Sequence, residues 1–325
     1  MAEARGKSRI IKILLRAIGP LILIGLLSRV DLSMLWDTLK NADPLVLVLV
    51  VVASLPMFML RTLRWLFLLS AQGKKLPYWL AFRVYLAANF FGAFTPGHVG
   101  EFIKVLYLKR YTGQSKSSGM ASVITDRILD LWVIFGLGFF GMYVLHLLDR
   151  VSGFALAAAF VVLFSPLLAL HRGLLKTGVK LLFRFTFLKR FTSEAERMEQ
   201  EFTEGLVQLV NWRLLPAMLC TLLAYVIYFA LCEELAETLR IGLDAWDLSM
   251  ILPIATFVTM LPISPAGLGT RDMTLIFLFG LSGVAQEQAL AFSLLLFVIF
   301  LVILGLFGYL FWITLPKPED DPELL

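Results

Sequence analysis

Apolar runs long enough to cross a lipid bilayer dominate this chain. Six of them, roughly 10–28, 44–69, 117–148, 152–170, 213–239 and 287–314, carry few charges along their length. A hydrocarbon core about 30 Å thick requires ~20 mostly apolar residues per helix. Backbone groups in that core find no water, so runs of this length imply helices rather than barrel strands. Composition agrees: the chain is 59% hydrophobic and 16% charged, with mean hydropathy +0.84, whereas a soluble domain is about 25% charged. That excludes a water-soluble enzyme, a disordered chain and a disulfide-rich secreted module. The first run does not resemble a secretory signal, because Arg16 and Pro20 interrupt it and no small-residue cleavage site precedes Arg29. The two cysteines, Cys220 and Cys232, share one apolar stretch and imply no disulfide framework or cysteine metal site.

Orientation follows from the basic residues near the span ends. Of 29 Lys and Arg, 21 fall on one set of flanks: the N-terminus, the loops around Lys74 and Lys109, the connector 171–212, and Lys317. The opposite set holds only Arg29, Lys40, Arg150 and Arg240. The chain is thus expected in the cytoplasmic membrane as a multi-pass protein with both termini cytoplasmic. Two further apolar stretches, about 78–110 and 246–283, are broken near the middle by Pro and Gly. Both flanks of the first belong to the basic side and both flanks of the second to the other. Each therefore reads as a re-entrant hairpin, one from each face. Ten full crossings would give the same polarity; half-segments of about 16 residues suit neither picture well, and hairpins are preferred.

The two breaks resemble each other. Thr95-Pro96-Gly97-His98-Val99-Gly100-Glu101 aligns with Ser264-Pro265-Ala266-Gly267-Leu268-Gly269-Thr270, and the flanking order of span, hairpin and span recurs. Opposite orientation of two such units marks an inverted repeat whose broken helices meet at a substrate site near the midplane. The expected architecture is an all-α polytopic membrane protein with six full spans plus two opposed re-entrant hairpins. Its divisions are an N-terminal membrane repeat 1–170, a cytoplasmic amphipathic connector 171–212, a C-terminal inverted repeat 213–316 and an acidic cytoplasmic tail 317–325.

Several of these residues together resemble one family. They are Arg61-Thr62-Leu63-Arg64-Trp65, Asn89, the first break, Thr125-Asp126-Arg127 with Asp130, and Pro262 through Asp272. The chain is similar over nearly its whole length to the lysylphosphatidylglycerol synthase transmembrane region, a flippase-like family. The resemblance implies lipid translocation between leaflets. The soluble synthase domain of the bifunctional members has no counterpart in this sequence, so aminoacyl transfer is not implied.

Ionisable residues in a bilayer cost on the order of 3 kcal/mol and mark partners or wet cavities. Glu101 and Lys104 lie three apart and suit mutual pairing, with Arg83 a further candidate partner. Asp126 and Asp130 share a helix face, Arg127 precedes Asp130 by three, and Arg271 and Asp272 follow the second break. A guanidinium presents a planar fork to a phosphodiester, so Arg61, Arg64 and Arg271 are the head-group candidates. Backbone N–H groups at the breaks, around Thr95, Gly97, Gly100, Ser264, Gly267 and Gly269, add anion contacts. Glu101, Lys104, Asp126, Arg127, Asp130 and Asp272 form the expected charge network. Snorkelling alone would equally account for Arg61 and Arg64 at a span end, and a structural ion cluster for Asp126, Arg127 and Asp130.

The expected function is a lipid flippase or transporter for an anionic phospholipid or polyprenyl phosphate, without cofactor or metal. A membrane-embedded lipid-modifying enzyme, or an accessory subunit of a separately encoded lipid-synthesis enzyme, is the alternative. No His-Glu-x-x-His, phosphate-binding loop or G-x-S-x-G is present.

Overall fold

A computed structural model describes residues 32–93, 95–148, 193–260 and 267–316, together with 153, 173, 176–178 and 180. The runs expected at 10–28 and 152–170, most of the connector's first half, Ser264 and the tail lie outside these residues. Among the described residues every regular element is helical. In order they are α1 (Leu32–Lys40), α2 (Pro44–Ala71), α3 (Tyr78–Ala93), a 3-10 turn (Pro96–Phe102), α4 (Ile103–Thr112) and α5 (Lys116–Val144). Then come α6 (Ser193–Leu209), α7 (Leu214–Thr238), α8 (Ala245–Met260), α9 (Thr270–Leu281) and α10 (Gln286–Ile313), whose Phe297–Ile303 is π-helical.

Three described helices are long and apolar enough to cross a membrane: α2, α7 and α10, of 28, 25 and 28 residues. They coincide with the runs expected at 44–69, 213–239 and 287–314. Helix α5 is 29 residues long, but Asp126, Arg127 and Asp130 interrupt its apolar character. Local chemistry sets the ends. Asp43 accepts from the Leu45 N–H at 2.8 Å ahead of Pro44, and Ser115 accepts from the Ser118 N–H, both ordinary N-caps. Gly113, at φ 64°, closes α4 in the left-handed conformation.

The helices recur in the second half of the chain. The 169-position shift that carries Thr95 onto Ser264 also carries α2, α3, α4 and α5 onto α7, α8, α9 and α10, every boundary agreeing within two residues. Packing is reciprocal. Helix α2 lies on its counterpart α7, whereas α3 packs on α10 and α8 on α5. Each crossed pair meets at a glycine: Gly308 of α10 faces the Leu86 carbonyl of α3, and Gly141 of α5 faces the Met250 carbonyl of α8. A Cβ there would stand 2.2 and 2.4 Å from those oxygens, so only glycine lets the backbones approach.

The helices end in two sets. At one end Asp43 N–H donates to Thr238 Oγ1 at 2.9 Å and Gln288 donates to the Leu239 and Arg240 carbonyls. At the other, Arg213 donates to Ser70 O at 2.5 Å and Lys74 to Thr112 O at 3.5 Å. Exposed Trp36, Tyr143 and Trp246 mark the first end, and Trp79 and Trp212 the second. Aromatic residues collect in this way at the two membrane–water boundaries. Connector helix α6 docks at the second end: Gln72 Nε2 donates to Ser118 O and Gly205 O, and Phe202 and Leu209 pack with Leu68, Ala121 and Leu129. Met198, one turn before Phe202, is exposed.

Candidate functional site

The first break is built so that the returning chain lies directly on α3. Thr95 Oγ1 accepts from the Gly100 N–H at 2.7 Å and sits 2.8 Å from the Phe91 carbonyl, to which it donates. Gly100 presses on that carbonyl, where a Cβ would be 2.2 Å away, and Gly92 accommodates the Glu101 side chain, whose Cγ would be 2.5 Å from a Cβ. Thr95 and Gly100 therefore use their polar groups to fold the break itself. Gly97 lies within the same turn, and His98 takes a positive φ of 56°.

This fold carries Glu101 and Lys104 into the bundle against α2 and α5. Arg64, fully buried on α2, donates through Nε to Asp126 at 2.7 Å and through Nη1 and Nη2 to the two oxygens of Asp130 at 2.6 and 3.0 Å. Its remaining donors reach Thr221 Oγ1 on α7 at 3.4 Å and Tyr85 OH on α3 at 3.2 Å. A guanidinium has five N–H donors, and Arg64 has five acceptor atoms on four residues, all inside the protein. Lys104, also fully buried, donates to Asp126 Oδ2 at 2.9 Å, stands 3.4 Å from Glu101 Oε2 and lies over the Tyr85 ring at 3.9 Å. Arg127, 26% exposed, pairs with Glu101 Oε2 and stands 3.9 Å from Asp130.

Arg61, one turn before Arg64, lies 5.6 Å from the centre of the Tyr225 ring. Its buried Nε has no hydrogen-bond partner, and the same holds for Arg127 Nε and for Glu101 Oε1. The cluster thus holds four cations, Arg61, Arg64, Lys104 and Arg127, against three carboxylates, Glu101, Asp126 and Asp130. Isolated ions would not persist at such depth, because desolvation outweighs attraction unless partners are close and well aimed. Here the interior ion pairs supply those partners, and one positive charge remains in surplus.

The second break is smaller and differently made. Gly267 and Gly269 have φ of 71° and 78°. Asp272 Oδ2 accepts from the Gly269 N–H at 2.8 Å, and Oδ1 accepts from Ser293 Oγ. Arg271 donates to Ser293 Oγ at 3.0 Å, to Ser293 O at 2.9 Å and to Asp272 Oδ1 at 3.0 Å. Positions that the 169-residue shift pairs with Lys104, Asp126 and Asp130 are Met273, Leu295 and Ile299, so among the described residues the dense network lies in one half.

Pairing of Glu101 with Lys104 and the shared face of Asp126 and Asp130 follow the helical spacing. Arg83 departs from expectation. It donates to Thr314 O and Thr314 Oγ1 at 2.8 Å each, because its position on α3 points toward the end of α10 rather than into the cluster. Tyr85, Thr221, Tyr225 and Ser293 join the two sites only in the folded chain. A serine amid the apolar run 289–296 is a signal for the last; nothing local distinguishes the others. Among the described residues no group of His, Cys, Asp and Glu is placed to hold a metal ion.

Long apolar helices with aromatic residues at both ends and ions buried between them define an integral membrane protein. The chain belongs to the family of the lysylphosphatidylglycerol synthase TM region, whose model matches residues 10–308. It is 21% identical to a UPF0104 membrane protein of Methanocaldococcus jannaschii, over 95% of this chain and 96% of that one. It is 24% identical to a UPF0104 membrane protein of Methanothermobacter thermautotrophicus, over 86% of this chain and 88% of the other.

Proposed function

We propose that the protein moves an anionic lipid, a phospholipid or polyprenyl phosphate, between leaflets of the cytoplasmic membrane. The observation that carries this reading is the surplus positive charge beside two unpartnered guanidinium nitrogens, Arg61 Nε and Arg127 Nε. A lipid phosphate group supplies the missing charge and acceptors together. The head group travels through this polar interior while its acyl chains stay in the bilayer. Arg64, with every donor engaged, holds the carboxylates in place. Arg61 and Arg127 take over the lipid-contacting role, and Arg271 with Asp272 and Ser293 forms the station at the second break.

The same reading makes the two halves an inverted repeat. Hairpins α3–α4 and α8–α9 enter from opposite faces, and the spans comprise α2, α5, α7 and α10 together with the runs at 10–28 and 152–170. The recurrence of four helices at one shift and their reciprocal packing support this arrangement. The surplus of Lys and Arg near Lys74, Lys109 and Lys116, against Lys40 and Arg240 opposite, supports a cytoplasmic placement of that end and of both termini.

Reconstitution tests the proposal. Liposomes containing the purified protein and a trace of head-group-intact, chain-labelled anionic phospholipid are treated with an impermeant quencher. The expected result is loss of inner-leaflet signal well beyond that of protein-free vesicles, with the lipid recovered chemically unchanged. No acceleration for any anionic phospholipid or polyprenyl phosphate would overturn the transport reading, and conversion of the lipid would replace it with catalysis.

A further inference from the structure

The connector holds a cavity of about 270 Å³, separate from the buried ion cluster and lined by two helical strips. Lys176, Thr177 and Lys180 form one strip. Residues 176–178 and 180 are helical, so the two lysines stand one turn apart on one face. Glu199, Thr203 and Glu204 of α6 line the other side. Phe202 of the same helix packs with Leu68 and Ala121 of the bundle, and this docking leaves the glutamate-bearing face toward the lysines.

Two features distinguish the cavity from a solvated surface. Thr203 is 8% exposed, and its buried Oγ1 has no hydrogen-bond partner. A helical threonine can turn its hydroxyl onto the carbonyl four residues back, as Thr38, Thr62, Thr112 and Thr221 do at 2.7–3.0 Å. Thr177, on the facing strip, does the same with Gly173 O at 3.0 Å. A buried hydroxyl without a partner forfeits its hydration, so Thr203 calls for a ligand. The charge pattern is the second feature. Among the described residues Lys176, Lys180, Glu199 and Glu204 form no ion pair with one another, although Arg197 and Glu201 of α6 pair at 3.5 Å. Two cations therefore face two anions across an opening. A simple anion held by the lysines would also meet the carboxylates, and a simple cation held by the carboxylates would meet the lysines. A molecule with a phosphate at one end and an ammonium at the other satisfies both strips.

We propose that this cavity binds a phosphoethanolamine group. Lys176 and Lys180 take its phosphate, Thr203 Oγ1 donates to a phosphate oxygen, and Glu199 and Glu204 accept from its ammonium. A lipid head group and a soluble phosphate ester both offer this chemistry. The site lies on the connector and requires no lipid movement, so it stands independently of the transport reading.

Binding to the purified full chain tests the proposal. Glycerophosphoethanolamine is titrated into the detergent-solubilised protein by calorimetry, with glycerophosphocholine and glycerol 3-phosphate alongside. Native mass spectrometry compares retention of phosphatidylethanolamine and phosphatidylcholine. Choline keeps the positive charge but has no N–H to offer a carboxylate, and glycerol 3-phosphate has no cation. The ethanolamine form is expected to bind about tenfold tighter than either, the weight of one hydrogen bond to a charged group. Lys176→Met combined with Lys180→Met should weaken it about tenfold or more. Glu199→Gln combined with Glu204→Gln should lower it to the level of glycerol 3-phosphate. The four side chains are exposed or half-buried, so an unchanged melting temperature is expected for both variants. Binding of the soluble ester assigns the site to a free metabolite; selective retention of phosphatidylethanolamine without it assigns the site to a membrane lipid. Either supports the proposal when the lysine variant abolishes it. Equal affinity for the three esters with equal retention of the two lipids, no binding of any, or a preference that the lysine variant leaves intact would overturn it. Should a variant not fold, the wild-type ranking decides: preference for the ethanolamine form supports the site, and its absence removes it.

Discussion

Arg64 holds Asp130 with both terminal nitrogens, Nη1 2.6 Å from Oδ1 and Nη2 3.0 Å from Oδ2. The two residues are far apart in the chain, on α2 and α5, and the bidentate geometry fixes the rotation of both helices about their axes. Asp126 takes the remaining Nε at 2.7 Å, so one side chain locks a full turn of α5 in place.

Arg64→Met removes that lock and leaves two carboxylates short of their partner. Breaking a buried pair from one side costs about 3–5 kcal/mol. Thermal unfolding in detergent is expected to show a large loss of stability. Adding Asp130→Asn to Arg64→Met should cost far less than the two single losses together, a coupling of about 1 kcal/mol or more.

Arg61 behaves differently because its Nε bonds nothing and its main contact is the Tyr225 ring. Arg61→Ala should lower stability by no more than about 1 kcal/mol, the scale of a cation–π contact. Lipid movement in proteoliposomes should nevertheless fall at least tenfold, because a charge-assisted phosphate contact is lost, a change of about 1.4 kcal/mol or more. Loss of stability and activity in parallel with Arg64→Met would place Arg61 in the scaffold instead.

The crossed helix pairs depend on Gly308 and Gly141, where an added methyl meets backbone oxygen at 2.2 and 2.4 Å. Backbone cannot step aside as a flexible side chain can, so Gly308→Ala and Gly141→Ala should each cost about 1–3 kcal/mol. Gly280, within α9, has nothing within 4 Å of such a methyl. Gly280→Ala should leave the melting temperature unchanged or raise stability by up to about 1 kcal/mol through helix propensity. Size-exclusion profiles and melting curves of the three variants separate these outcomes.

Ser293→Ala strips Asp272 of one donor and Arg271 Nε of its acceptor in the interior. A cost of about 1–3 kcal/mol is expected for groups left unsatisfied. Amide exchange should rise at the start of α9, whose Gly269 N–H is capped by Asp272, before it rises in α3 or α4. Uniform loss of protection would contradict a local role.

Much of the helical layout is legible in the chain itself. The runs at 44–69, 213–239 and 287–314 become α2, α7 and α10 because length and apolarity leave them no other way to satisfy their backbones in lipid. The breaks at Thr95 and Gly267–Gly269 are visible because proline and glycine interrupt helices by their own geometry. Pairing of Glu101 with Lys104 follows from a spacing of three on one helical face. Arg83, a further candidate partner by spacing, reaches Thr314 instead, because spacing says which residues share a helix, not which way α3 turns its face.

Sequence alone determined where helices run, where they break and which charges must leave water. Tertiary structure alone decided which of those charges are already satisfied. Arg64 and Arg61 sit three residues apart in one run and look equivalent there. In the bundle Arg64 meets groups from α3, α5 and α7 at once and has no donor left, whereas Arg61 Nε keeps one. Saturation of a guanidinium requires acceptors from several helices to converge on a few cubic ångströms. No local pattern in the chain encodes that convergence.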